Sequence, residues 1–294
     1  MIAVGHGGPL GFKSLIRDYV LMLKQFLLLL LLKLFEAKES YSKNITENVI
    51  IRSVEIKEKH MKLIIAKNYE EMSQISAQIV LSKTYINTRV NLSLTAGNTP
   101  ARMYEILAEY VPNRDYFKHV HFYNFDEIVL KNEKFGLTMQ ELYDQFYTPC
   151  AIDKDNIHEL DADNYQNYDA LIESDGGLDL ILIGIGADGH FCGNIPQFTK
   201  FENETYKIVF EEGSEAFKMV ESLTSKSPTG EVVTFGPKTV MNAKQIVLIA
   251  NGKHKAEIIK EALKGPVTTD VPSSILKLHP NLVVVLDADA ASLL

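Results

Sequence analysis

From Met61 onward, short apolar runs alternate with stretches of helical spacing. Lys62–Ala66, Val90–Thr95 and His119–Phe125 read as strands, the last rich in β-branched and aromatic residues. Leu178–Ile185, Gln245–Ala250 and Leu282–Leu286 are continuous or nearly continuous apolar runs. Strands of that kind are buried on both faces of a parallel sheet. Between the runs, Tyr69–Lys83 places Met72, Ile75, Ile79 and Val80 on one helical face. Helices are also predicted over Pro100–Tyr110, Leu137–Phe146, Asn164–Ser174 and Lys253–Lys264. Alternation at this spacing implies βαβ units, hence an α/β fold: a doubly wound, mostly parallel sheet with helices on both faces. No internal repeat or low-complexity tract follows residue 60.

Residues 1–60 read differently. Their uninterrupted apolar stretch, Phe26–Leu32, is bracketed by Lys24 and Lys33. It is far shorter than the roughly 20 residues a membrane-spanning helix needs. "EAKES" follows at 36–40 and makes a poor signal-peptide cleavage site. No stable membrane span is expected. Residues 1–60 are expected to be an extension outside the fold, as poorly structured chain, a surface helix or a membrane-associating helix. The clean strand–helix opening "MKLIIAKNYEEM" suggests Met61 as a translation start and 61–294 as the folded domain.

The 294 residues are 46% hydrophobic, enough for one large α/β domain with a full core. The net charge of −8 argues against a nucleic-acid partner, which usually demands a basic surplus. Two cysteines, Cys150 and Cys192, make no disulfide framework, so a cytoplasmic location is expected.

Rossmann-like three-layer sandwiches of this kind bind ligands at the carboxyl ends of their strands. Four loops lie there. In "LTAGNTPARMY" (94–104), Thr99 is expected to cap a helix and Pro100 to occupy its first position. The free N–H groups of that turn, with Gly97 and Asn98, could cradle a phosphate, although an ordinary tight turn has the same composition. In "NFDEIVL" (124–130), Asp126 and Glu127 point in different directions from an extended backbone. One could face a ligand as a base, and a plain cap is the competing role. In "GIGADGHFCGNIP" (184–196), Asp188 and His190 flank a glycine, and such a carboxylate fixes an imidazole tautomer and raises its basicity. In "IANGKHKAEII" (249–259), Lys253, His254 and Lys255 oppose the helix dipole, which suits a held anion or a solvated surface. Lys238 is a weaker example of the same signal.

Taken in order, "TAGNTP", "FDE", "GIGADGH", "GKHKA" and "LKLHP" (276–280) resemble the signatures of the glucosamine-6-phosphate deaminase/isomerase and 6-phosphogluconolactonase superfamily, over Met61 to the C-terminus. The resemblance implies that Gly97, Asn98, Thr99 and Lys255 bind a sugar 6-phosphate. It implies that Asp126 moves a proton between carbon-1 and carbon-2, and that Asp188 and His190 open the pyranose ring. Glu127 and Asn194 are expected beside the substrate. No metal or organic cofactor is implied, the partner is a small sugar phosphate, and a homo-oligomer is compatible with it.

One position departs from the deaminase pattern. That pattern carries a glutamate between an asparagine and a proline after the histidine, whereas this chain has Asn194, Ile195, Pro196. Isoleucine can neither accept a proton nor orient a histidine. The lactonase branch does without that glutamate, yet "FCGNIP" is unlike its usual continuation, and Ile128 stands where it usually has arginine. The pattern therefore implies a divergent deaminase-like enzyme that releases ammonia and a ketose phosphate. A lactone hydrolase and a non-catalytic sugar-phosphate sensor are the competing functions.

Overall fold

The computed structural model describes residues 61–86 and 88–294. The expectations for residues 1–60 lie outside the described residues. In chain order the elements are β1 (Met61–Ala66), α1 (Tyr69–Thr84), β2 (Val90–Leu94), α2 (Ala101–Tyr110), β3 (Val120–Tyr123), β4 (Asp126–Leu130), α3 (Leu137–Leu142), β5 (Ile157–His158), α4 (Tyr165–Ser174), β6 (Leu180–Ile183), β7 (Tyr206–Val209), α5 (Glu215–Glu221), β8 (Pro228–Thr234), α6 (Pro237–Met241), β9 (Ile246–Ala250), α7 (Ala256–Lys264) and β10 (Leu282–Asp287).

Among the described residues, seven strands form one sheet in the order β1-β10-β9-β6-β2-β3-β5. Every neighbouring pair is parallel. The doubly wound expectation therefore holds, and the period of two along each central strand explains why. Leu180, Leu182, Val247, Ile249, Val283 and Val285 point into a core shared with α1, α2 and α3. Their sequence neighbours Ile181, Ile183, Ile246, Leu248, Val284 and Leu286 point into a second core shared with α4 and α7. All these side chains are buried. At roughly 1.5–3 kcal/mol for each large aliphatic side chain, the two faces anchor helices on both sides of the sheet.

A second sheet was not anticipated. Strands β4, β8 and β7 pair antiparallel, in the order β4-β8-β7. Asp126 and Glu127 therefore open a strand of this sheet instead of trailing from β3. The expected cap at Thr99 is also revised. Pro100 is the first residue whose carbonyl accepts a helical bond, from the Tyr104 N–H at 3.0 Å, and no side chain caps α2. Proline at that place loses nothing, because an N–H there has no helical partner. The predicted helix over 137–146 divides into α3 and a π-turn over Tyr143–Tyr147.

Candidate active site

The chain leaves β2 for β3 on one side and later returns to β6 on the other, so β2 marks the reversal of strand order. A crevice opens at the carboxyl ends of strands at such a point. There lies a cavity of about 580 Å³, within the roughly 300–1,000 Å³ of small-ligand sites. Its lining brings together Gly97, Asn98, Thr99, His190 and Lys255 from the loops that follow β2, β6 and β9, with Asp126 from the start of β4. Asp188 adjoins the cavity through His190.

The turn after β6 explains the glycines that precede Asp188. The Gly186 N–H donates to the His190 carbonyl at 2.8 Å, and the Gly189 N–H donates to the Gly186 carbonyl at 3.1 Å. This tight turn folds the histidine back over Gly186, where any Cβ would overlap the imidazole and the Asp188 carboxylate. Gly189 has φ +86°, a conformation costly for other residues. The result is an Asp–His pair with Asp188 Oδ1 2.6 Å from His190 Nδ1, and the same oxygen accepts from the His190 backbone N–H at 3.1 Å. Burial raises the Asp188 pKa, but the hydrogen bond from His190, the charge interaction with it and the backbone bonds outweigh that and hold it at about 2. Asp188 is thus ionised at neutral pH and only accepts, which assigns the proton between them to Nδ1.

Lys255 follows Gly252 in a single 3₁₀ turn before α7. Its ammonium donates to the Ile185 carbonyl at 2.8 Å, so the lysine is tied to the β6 loop. Burial lowers its pKa, and the nearby Asp188 charge acts in the opposite sense. Gly97 adopts φ +97° at the turn leaving β2 and has open space where a Cβ would sit.

Asp126 faces the cavity with protein on its other sides. Burial raises its pKa well above the ordinary aspartate value, the neighbouring charges of Glu127 and Glu141 raise it further, and a Thr138 hydrogen bond opposes them. Such a carboxyl is poised to exchange a proton.

Glu127 and Asn194 are not brought to this cavity. Glu127 is 4% exposed and turns inward to the start of α3. Its carboxyl accepts from the N–H groups of Ile128 at 2.8 Å, Thr138 at 2.9 Å and Met139 at 3.1 Å, and from the Thr138 hydroxyl at 3.0 Å. Burial pushes its pKa up to about 7 against the pull of those bonds. Of the pair, Asp126 faces the cavity and Glu127 serves as the cap, the division that alternation along a strand requires. Removing the Glu127 carboxyl strands several buried donors, each worth about 1–3 kcal/mol. Glu127→Ala is expected to lower stability by about 3 kcal/mol, read as a fall in the urea midpoint with the slope unchanged. Asn194 is fully buried, and its amide donates to the carbonyls of Phe191 at 3.1 Å and Phe235 at 2.7 Å. It ties the β6 loop to the end of β8.

Several lining residues escaped the sequence pattern. Thr138 and Glu141 come from α3, and Cys192 lies beside Asp126. Ile128, Ile195, Phe210 and Val232 give the cavity an apolar wall built on the small sheet. Alternating apolar positions at Tyr206, Ile208 and Phe210 were the available signal for that sheet. Ile195, where the deaminase pattern has glutamate, belongs to this wall. Among the described residues, no group of three or more His, Cys, Asp or Glu is arranged to hold a metal ion. No described helix is long and apolar enough to cross a membrane.

The family model for glucosamine-6-phosphate isomerases/6-phosphogluconolactonase matches residues 66–284. The chain belongs to this family. A glucosamine-6-phosphate deaminase of Thermoanaerobacter pseudethanolicus is 36% identical over 253 residues, covering 80% of this chain and 95% of the relative. One from Clostridium botulinum strain Eklund 17B is 32% identical over 250 residues, covering 80% of this chain and 97% of the relative. A solved structure of a monomeric glucosamine-6-phosphate deaminase superposes with a TM-score of 0.69 at 27% identity, over 80% of this chain and 100% of that one. The 6-phosphogluconolactonase of Leishmania guyanensis has a TM-score of 0.60 at 19% identity, covering 78% of this chain and 97% of its own, and shares the fold. The glucosamine-6-phosphate isomerase/6-phosphogluconolactonase assignment accords with the ordered motifs and with the parallel sheet that carries them.

Proposed function

We propose that the chain converts an amino-sugar 6-phosphate, glucosamine 6-phosphate first among them, to a ketose 6-phosphate and ammonia. The observation that carries this reading is the convergence of Asp126, His190, Lys255 and the Gly97–Thr99 turn on one cavity. Lys255 and the backbone N–H groups of that turn hold the phosphate. Asp188 keeps the His190 proton on Nδ1, so Nε2 handles the proton of the ring oxygen as the pyranose opens. Asp126 takes the proton from carbon-2 of the open aldose and returns it to carbon-1. The carbon-2 imine so formed adds water and releases ammonia, which balances the reaction. The chain is read as a cytoplasmic enzyme, consistent with the free thiols Cys150 and Cys192.

Ile195 favours one competing reading, a lactone hydrolase in which His190 activates water, because that chemistry has no use for the missing glutamate. Turnover in deuterium oxide separates the two. Isomerisation is expected to leave deuterium at carbon-1 of the ketose phosphate, with ammonia formed in equal amount. Hydrolysis of 6-phosphogluconolactone with no carbon-bound label and no action on glucosamine 6-phosphate would overturn the deaminase reading.

A further inference from the structure

The cavity has two unlike sides. Loops of the large sheet supply Gly97–Thr99, His190 and Lys255. The small sheet supplies Asp126 and, two positions on along the same face of β4, Ile128. Alternate residues of a strand lie roughly 7 Å apart, so apolar surface begins one such step from Asp126. Strand register carries it onward, because Ile128 lies opposite Val232 of β8. Phe210, whose N–H donates to the Gly230 carbonyl at 2.9 Å, and Ile195 pack in the same cluster. Met219 of α5 and Leu223 just beyond it stand exposed at the rim. Thr234, opposite Asp126, keeps its polar atom within the protein: its hydroxyl accepts from the Gly193 N–H at 2.8 Å and donates to the Phe235 carbonyl at 3.1 Å. The wall thus offers a ligand hydrocarbon, with a carboxyl at its edge.

We propose that the substrates of this chain include 2-alkylamino-2-deoxyhexose 6-phosphates, amino-sugar phosphates whose nitrogen carries an apolar chain that lies on this wall. The proposal rests on the amino-sugar phosphate reading of the site. With the phosphate on the large-sheet loops and carbon-2 at Asp126, the wall lies beyond the reacting end of the sugar. Carbon-1 has to become a free aldehyde, so its oxygen carries no alkyl group. The nitrogen on carbon-2 is free to carry one. An acyl group there would lay its carbonyl against hydrocarbon with no side-chain donor, which costs free energy. It would also draw off the nitrogen lone pair that the imine needs. An alkyl group does neither, and its nitrogen meets the carboxyl of Asp126. Ile195 completes the wall at the place where the deaminase pattern has a glutamate, whose charge would be poorly solvated beside an alkyl chain. The reaction balances. Asp126 moves the carbon-2 proton to carbon-1, which reduces carbon-1 and oxidises carbon-2 within one molecule. The carbon–nitrogen double bond so formed adds water at carbon-2. That bond to nitrogen then breaks, and the products are the ketose 6-phosphate and a primary alkylamine in place of ammonia.

The test gives the full chain glucosamine 6-phosphate and its N-methyl, N-propyl and N-pentyl derivatives, and reads the ketose phosphate and the amine released. A fully buried methylene is worth about fourfold in binding. On a wall open at its rim, kcat/KM is expected to rise about twofold or more per methylene, hence at least tenfold from the methyl to the pentyl substrate. Ile195→Glu is expected to bring the pentyl-to-methyl ratio close to one, and Val232→Thr, which keeps the shape and adds a hydroxyl, to lower it severalfold. A ratio taken within one protein does not depend on how much active enzyme a preparation holds, and the native series decides the matter even where a variant fails to fold. A flat or falling series in the native chain, with ammonia still released from glucosamine 6-phosphate, overturns the proposal and leaves the deaminase reading standing. A rising series that Ile195→Glu and Val232→Thr leave unchanged also overturns it, because the chain would then lie elsewhere. Release of neither ammonia nor alkylamine from any of the four substrates overturns the proposal and the deaminase reading together.

Discussion

Replacing Asp126 with asparagine is expected to lower kcat on glucosamine 6-phosphate by about 10²–10⁴, the contribution of a positioned general base. The change is nearly isosteric, so the Thr138 hydroxyl keeps its 2.5 Å bond to the residue-126 carbonyl and the cavity wall stays in place. What is lost is the group proposed to take the carbon-2 proton. Exchange of that hydrogen with solvent deuterium should fall with kcat, and KM should change little. The variant should melt no lower than the parent, because burial and the nearby charges of Glu127 and Glu141 disfavour the charge of the native carboxyl. The pH dependence has a definite sign. A base works ionised, and the Asp126 pKa is raised, so kcat/KM in the native chain should fall as pH drops through a value above that of an exposed aspartate. A parent-like rate for Asp126→Asn would remove the proton-transfer mechanism.

The second large effect concerns Asp188 and His190. Asp188→Asn and His190→Gln should each lower kcat by about 10²–10⁴, and the double variant should be no slower than the slower single one. Non-additivity follows from the 2.6 Å contact. Without the carboxylate the imidazole loses its tautomer and its orientation, and without the imidazole the carboxylate has nothing to direct. Losses that multiply in the double variant would show two independent roles and sink the paired assignment.

The large sheet was legible because both faces of its central strands are covered, so the runs at 180–183, 246–250 and 282–287 carry no polar residues until Asp287. The turn after β6 was legible for a different reason: two glycines, an aspartate and a histidine at fixed spacing leave few backbone solutions. The small sheet was harder. Its strands mix buried and half-buried positions: β7 has four residues and ends on Val209 at 64% exposed, and β8 carries the polar and glycine positions Thr229, Gly230 and Glu231 near its start, so no continuous apolar run announces them. Glu127 and Asn194 show a second limit. Both polar residues sit in signature motifs, yet their functional atoms are consumed by backbone groups of α3 and of β8. Sequence places a residue at the strand end but not which of two neighbours turns outward. Glu141 shows a third. In a six-residue helix with polar and apolar positions mixed, nothing in "LTMQEL" marks Glu141 as a carboxyl that lines the cavity.

The pairing of β1 with β10 ties Met61 to Leu282, roughly 220 positions apart in the chain. During synthesis at about 5–20 residues per second, β1 waits on the order of ten seconds or more for β10, its hydrogen-bonded neighbour among the described strands, to leave the ribosome. Until then β9 also offers a bare edge. The nascent domain therefore closes by its own tail, and a ribosome that stalls shortly before residue 282 would release a chain with two unguarded sheet margins, a ready substrate for chaperones and proteases.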